Sequence, residues 1–224
     1  MISELPAISE RRRFPAPAVT PQALAWHGDT LWIGSRDLRR IYEMDPKSWT
    51  VRKEMEAPGI PWAAVSTGKD LWFTLGEGAD DDRYLWRFDP GKGFSESDRI
   101  SCPELTGSYL SYDGENLYLS QWYKYRILKL DGRGNILRVI DVGAEICGHV
   151  FVDGLIYVLR GTEQGEGDWR IARLDPREAT SPIKELARVP FQCRSLAFDG
   201  ENFWTNHREA DQIVSFAMRE RKEP

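Results

Sequence analysis

The residues able to do chemistry in this 224-residue chain are scattered along it, and none lies in a local motif. Candidates for proton transfer are His149, His207 and Tyr109, two imidazoles that titrate near neutrality and a phenol that can donate a hydrogen bond. The candidate ligand-binding set is Gln22, Trp62, Tyr109, Trp122, His149, Arg194 and Arg208. In it, guanidinium groups suit an anionic or carbonyl end and the rings suit a flat or apolar body. Asp80, Asp81 and Asp82 are weak candidates to hold a hard divalent cation, Ca²⁺ or Mg²⁺, through oxygen ligands. Three adjacent carboxylates without EF-hand spacing more often form a solvated loop tip. For His149 the competing reading is a core histidine satisfied by a neighbouring strand. There is no GxSxG elbow, GxxxxGK[ST] loop, HExxH helix or GxGxxG turn, so a site must be assembled from residues far apart in the chain.

The elements that would assemble it repeat. Turn glycines recur at Gly28, Gly68, Gly114, Gly154 and Gly200, spaced by 40, 46, 40 and 46 residues, the length of a propeller blade. Each is followed by a strand with one aromatic in a fixed place: Trp32, Trp72, Tyr118, Tyr157 and Trp204. The next strands end in turns at Asp45-Pro46, Asp89-Pro90, Asp131-Gly132 and Asp175-Pro176. Four units have a fourth strand, and the fifth runs out of chain first. Its missing strand is expected from the N-terminal segment, where Arg13-Phe14-Pro15 matches Arg188-Val189-Pro190. Pairing there would close the ring and remove the open sheet edge.

The expected fold is therefore all-β, a single five-bladed β-propeller of four-stranded antiparallel blades. Blade one covers about 21–58, blade two 60–103, blade three 107–143, blade four 147–190, and blade five 193–218 plus 10–18. The phrases GDTLWIGSRDLRRIYEMDP and DGENFWTNHREADQIVSF resemble the blade pattern of the NHL, YncE-like and virginiamycin-B-lyase-like propeller families. The blade count resembles plant-type glutamine cyclotransferase, and Gln22 is similar to a glutamine that opens an inner strand there. The resemblance covers nearly the whole chain and implies a scaffold. It rests on residues that pack and turn, so it implies no catalytic residue.

Counting six residues back from each turn glycine gives a ring at the mouth of the channel: Gln22, Trp62, Ser108, Gly148 and Arg194. One step inward come Ala23, Ala63, Tyr109, His149 and Ser195. Loops between second and third strands should flank this mouth. Two are long and acidic, carrying Glu77 and Asp80 to Asp82 in blade two and Glu163, Glu166 and Asp168 in blade four. The short ones carry Arg36, Arg39, Arg40, Lys124, His207 and Arg208.

The net charge of −5 with dispersed Lys and Arg argues against a nucleic-acid partner. No apolar run reaches membrane-spanning length, and the N-terminal residues do not read as a signal peptide, so a cytoplasmic monomer is expected. Cys102, Cys147 and Cys193 lack CxxC spacing and read as reduced, buried thiols. Arg219 to Pro224, charged and beyond the last apolar strand, should be poorly ordered. Three functions fit: a module binding a small molecule or peptide at the mouth, an enzyme of lyase, lactonase or cyclotransferase type using the same mouth, and a protein-interaction scaffold.

Overall fold

The computed structural model describes residues 5–161, 168–178 and 183–218. Its strands follow the repeat. Blade one is β2 (Pro21–His27), β3 (Thr30–Ser35), β4 (Arg40–Asp45) and β5 (Thr50–Glu56). Blade two is β6 (Ile60–Ser66), β7 (Leu71–Glu77), β8 (Asp82–Asp89) and β9 (Gly93–Ser101). Blade three is β10 (Leu110–Tyr112), β11 (Leu117–Gln121), β12 (Arg126–Leu130) and β13 (Ile136–Asp141). Blade four is β14 (Ile146–Val152), β15 (Leu155–Arg160), β16 (Trp169–Leu174) and β17 (Lys184–Val189). Blade five joins β18 (Arg194–Phe198), β19 (Phe203–His207) and β20 (Gln212–Ala217) to β1 (Ser9–Pro15) from the other end of the chain. The inner strands pack side by side around the ring, and β18 lies beside β2.

Ring closure is antiparallel, with Ser9 opposite Ala217 and Pro15 opposite Gln212. Phe14 stacks on Trp49 at 4.0 Å, and the Trp49 indole N–H donates to the Pro15 carbonyl at 2.7 Å, so the closing strand is also held by blade one. The segment before it reaches blade four: Arg188 N–H donates to Pro6 O, Ile8 N–H donates to Arg188 O, and Ile8 enters the core that Cys147, Trp169 and Phe216 share.

The turn aspartates act locally. Asp45, Asp89, Asp131 and Asp175 accept backbone N–H bonds from residues two or more positions on, which shapes the turn and satisfies donors outside the ladders. Arg52 and the backbone N–H groups of Lys47 and Ser48 hold the Asp45 carboxyl down at about 2, and Arg177 does the same for Asp175. The repeated aromatics Trp32, Tyr118 and Trp204 are buried between blades. Inner strands such as β2 are buried while outer strands such as β5 are largely exposed, so burial falls off outward from the channel. Among the described residues, helical structure is limited to single 3-10 turns at Pro103–Leu105, Trp122–Lys124 and Arg208–Ala210.

Candidate functional site

A β-bulge marks the channel mouth. In β2, β6 and β14 the register slips by one residue at Gln22, Trp62 and Cys147, and β18 slips between Arg194 and Ala197. In blade three Ser108 and Tyr109 both bond Ser120, two residues opposite one. A bulge re-aims side chains, and here it turns one residue per blade toward the axis.

The pairing also fixes which residues are equivalent. Ala25, Val65, Ser111, Val150 and Ala197 sit opposite the repeated aromatics. Three residues earlier lie Gln22, Trp62, Ser108, Cys147 and Arg194. The blade-four member is Cys147 rather than Gly148, because in the two-residue turn between Val152 and Leu155 the glycine stands second, after Asp153. In blade one Gly28 stands first in its two-residue turn. His149 accordingly lies one position deeper than the glycine count places it.

Four of these five, Trp62, Ser108, Cys147 and Arg194, line a mouth cavity of about 240 Å³ with Tyr109 in the wall. A second tier comes from residues that follow the second strand of a blade: Arg36, Trp122 and Arg208. Arg83 and Tyr123 complete the lining. Four guanidinium groups and four aromatic rings thus surround the space, and no carboxylate lines it among the described residues.

Gln22 is fully buried beneath this lining and ties it together. Its amide N–H₂ donates to Trp62 O at 3.2 Å and to the Tyr109 hydroxyl at 3.1 Å, while its Oε1 accepts from Arg208 at 3.0 Å. Its backbone carbonyl accepts from Ser195 and Asn206. Burial pushes the Tyr109 phenol well up, only partly offset by Arg194, so the hydroxyl stays protonated. It accepts from Gln22 and makes no donor bond within the described residues, which leaves its proton for a group in the cavity.

Trp62 is clamped. Arg83 lies 4.0 Å and Arg36 5.4 Å from its ring, and its indole N–H donates to Asp81 at 3.1 Å. Gly76 makes room for this, since a Cβ there would meet Asp81 Oδ1 at 1.6 Å and Trp62 Nε1 at 2.8 Å. Arg194, 4% exposed, lies over Trp169 at 4.7 Å and donates to Cys193 O at 3.2 Å and Cys147 Sγ at 3.5 Å.

The remaining candidates lie elsewhere. His149 is buried in the channel wall below the mouth: Nε2 faces Tyr109 O at 3.1 Å and Nδ1 faces the Ser111 hydroxyl at 2.7 Å. A carbonyl only accepts, so Nε2 carries the proton and Ser111 donates to Nδ1. Burial pulls this imidazole down to about 4. His207 stacks on Phe191 at 4.9 Å with Arg13 at 3.3 Å from Nδ1, on the blade-five edge facing the closing strand. Asp80, Asp81 and Asp82 border a neighbouring groove, where Asp81 is held by Trp62 and Arg83. No group of three or more His, Cys, Asp or Glu able to hold a metal ion is present among the described residues. Glu163, Glu166 and residues 219–224 lie outside the described residues. Cys102, Cys147 and Cys193 are buried and lie outside any disulfide, and burial pushes Cys102 up to about 12.

Sequence reasoning passed over Arg83, Cys147 and Tyr123. Cys147 had a signal in the two-residue Asp153-Gly154 turn, and Tyr123 in its place beside Trp122. Arg83 reaches the mouth only because blade two extends its central hairpin to a Glu77–Asp82 pair, which no local pattern announces.

No protein-family model matches the chain, and no curated protein matches it. Its backbone is similar to that of Myxococcus xanthus glutaminyl cyclase, with TM-score 0.74 and 12% identity over 95% of this chain and 96% of that one. It is also similar to virginiamycin B lyase from Staphylococcus aureus, with TM-score 0.54 and 17% identity over 92% of this chain and 68% of that one. A third similar structure is the PQQ-bound aldose sugar dehydrogenase of Streptomyces coelicolor, with TM-score 0.59 and 12% identity over 95% and 99% of the two chains. At these identities the likeness is one of fold alone, and the five four-stranded sheets make this chain a five-bladed β-propeller.

Proposed function

We propose that the chain binds a small molecule or peptide at the channel mouth through an anionic end and a flat body. One observation carries the reading. Arg36, Arg83, Arg194 and Arg208 converge on a space of about 240 Å³ whose other walls are Trp62, Tyr109, Trp122 and Tyr123, with no carboxylate in the lining among the described residues. Guanidinium groups favour a carboxylate or phosphate, the free Tyr109 proton adds a directed donor, and the rings favour a planar group. The test is calorimetric titration with indole-3-acetate against its neutral amide. The carboxylate should bind at least about tenfold tighter, the worth of one charge-assisted hydrogen bond. Equal affinity for the two, or binding of neither, would overturn the reading.

A second reading, an enzyme of lyase, lactonase or cyclotransferase type, draws on the Tyr109 hydroxyl. A buried neutral phenol aimed at a cavity can stabilise charge developing on a carbonyl oxygen. Turnover of a bound ester or amide that falls in Tyr109→Phe with its affinity kept would favour this reading over simple binding.

A further inference from the structure

We infer that the ligand is the carboxyl-terminal stretch of a peptide, seated with its carboxylate in the mouth and running outward between blades two and three over a basic residue. This rests on the mouth being an anion site. The mouth cavity does not stop at its rim. Arg83, Ser108, Trp122 and Tyr123 also line a second cavity of about 470 Å³ on the same face. Its character is reversed: Asp80, Asp81, Asp82 and Glu104 lie along it, with Lys124 the cation added to Arg83.

Those carboxylates are not equivalent. Asp81 is taken by Trp62 and Arg83, and Glu104 by Lys124 and Arg126. Asp80 and Asp82 make no side-chain hydrogen bond or ion pair among the described residues, so their charge remains for a partner. A ligand that satisfies both ends must carry an anion and a cation several bonds apart, with planar or apolar groups between. Tyr123 at 84% exposure and its neighbour Trp122, their rings 4.6 Å apart, lie where the two cavities meet and give those groups a surface. The buried Tyr109 hydroxyl, which accepts from Gln22 and has a proton to give, fixes the anionic end at the mouth. A peptide with a free carboxyl end, an aromatic last residue and a basic residue upstream meets all of these demands.

The test uses acetylated tetrapeptides ending in glycine and phenylalanine, preceded by two lysines or by two glutamates, each as free acid, plus the amide of the lysine form. Calorimetry on the full chain should show the lysine acid binding about fivefold or more tighter than the glutamate acid, the scale of an exposed ion pair, with the gap closing in high salt. The double variant Asp80→Asn, Asp82→Asn should erase that gap and leave the preference for acid over amide unchanged. Equal affinity for lysine and glutamate forms, or failure of every peptide while indole-3-acetate still binds, overturns the inference and leaves the mouth reading standing. Loss of the acid-over-amide preference in the unaltered protein overturns the mouth reading itself.

Discussion

Gln22 and Tyr109, 87 residues apart and on different blades, share a buried hydrogen bond of 3.1 Å in which the amide donates and the phenol accepts. With Arg208 on the amide oxygen, protons are donated in series from Arg208 to Gln22 and from Gln22 to Tyr109, so the phenol proton stands at the end of the series. Tyr109→Phe should therefore weaken binding of indole-3-acetate by about 1.5–3 kcal/mol, the range for a hydrogen bond to a charged group. Because Gln22 keeps Trp62 O as acceptor, stability should fall by only about 1 kcal/mol, checked by urea unfolding. Affinity equal to that of the unaltered protein would mean that the phenol does not face the ligand.

His149 predicts a pH window. It is held neutral in the folded protein down to about 4, against 6.5 for an ordinary imidazole, so below pH 6.5 the unfolded chain binds the proton first. Stability should fall as pH drops from about 6.5 to about 4 and gain no further loss from this group below that, by about 3 kcal/mol in total. Asp45 and Asp175, depressed to about 2 from 3.8, are charged in both states over the upper part of that window and lose their contribution mainly between about 3.8 and 2. Urea midpoints at pH 7 and pH 5 should converge in His149→Gln, and an unchanged pH slope in that variant would rule His149 out as the source.

Ring closure is testable by removing residues 1–15. The deletion leaves the β20 ladder open, strips Trp49 of both Phe14 and the Pro15 carbonyl, and takes Ile8 from the blade-four core. An unpaired edge of this kind templates aggregation. Light scattering should rise well below the melting temperature of the whole chain; equal melting and solubility would show that closure does not depend on β1.

Gly76 supports the mouth without touching a ligand. Gly76→Ala forces a methyl against the Asp81 carboxylate and the Trp62 indole, so it should cost about 1–3 kcal/mol, as overpacking does, and displace Trp62 from between its two arginines. Indole-3-acetate should bind more weakly, and Trp62 fluorescence should shift with it. Full affinity with an unshifted spectrum would mean that the Asp81 clamp is dispensable.

What the sequence by itself determined is the part that rests on local rules. Turn residues such as Asp45-Pro46, an aromatic at one place in each unit and strands of matched length recur at a blade-sized spacing, and each is set by backbone preference within a few residues. That sufficed for five blades, and the missing fourth strand of the last blade sufficed for closure by the segment around Phe14. Several mouth residues were legible too, because Gln22, Trp62, Tyr109 and Arg194 break a symmetry that packing positions keep. The tertiary structure alone decided the rest. A bulge in each inner strand and a turn with its glycine in second place moved Cys147 to the mouth and His149 below it, since a slip of one residue reverses the side a strand residue faces. The extended hairpin of blade two brought in Arg83, and only the closed ring put Gln22 within reach of Tyr109 and Arg208. Those contacts join residues separated by 87 and 186 positions, and no pattern read along the chain carries information over such a span.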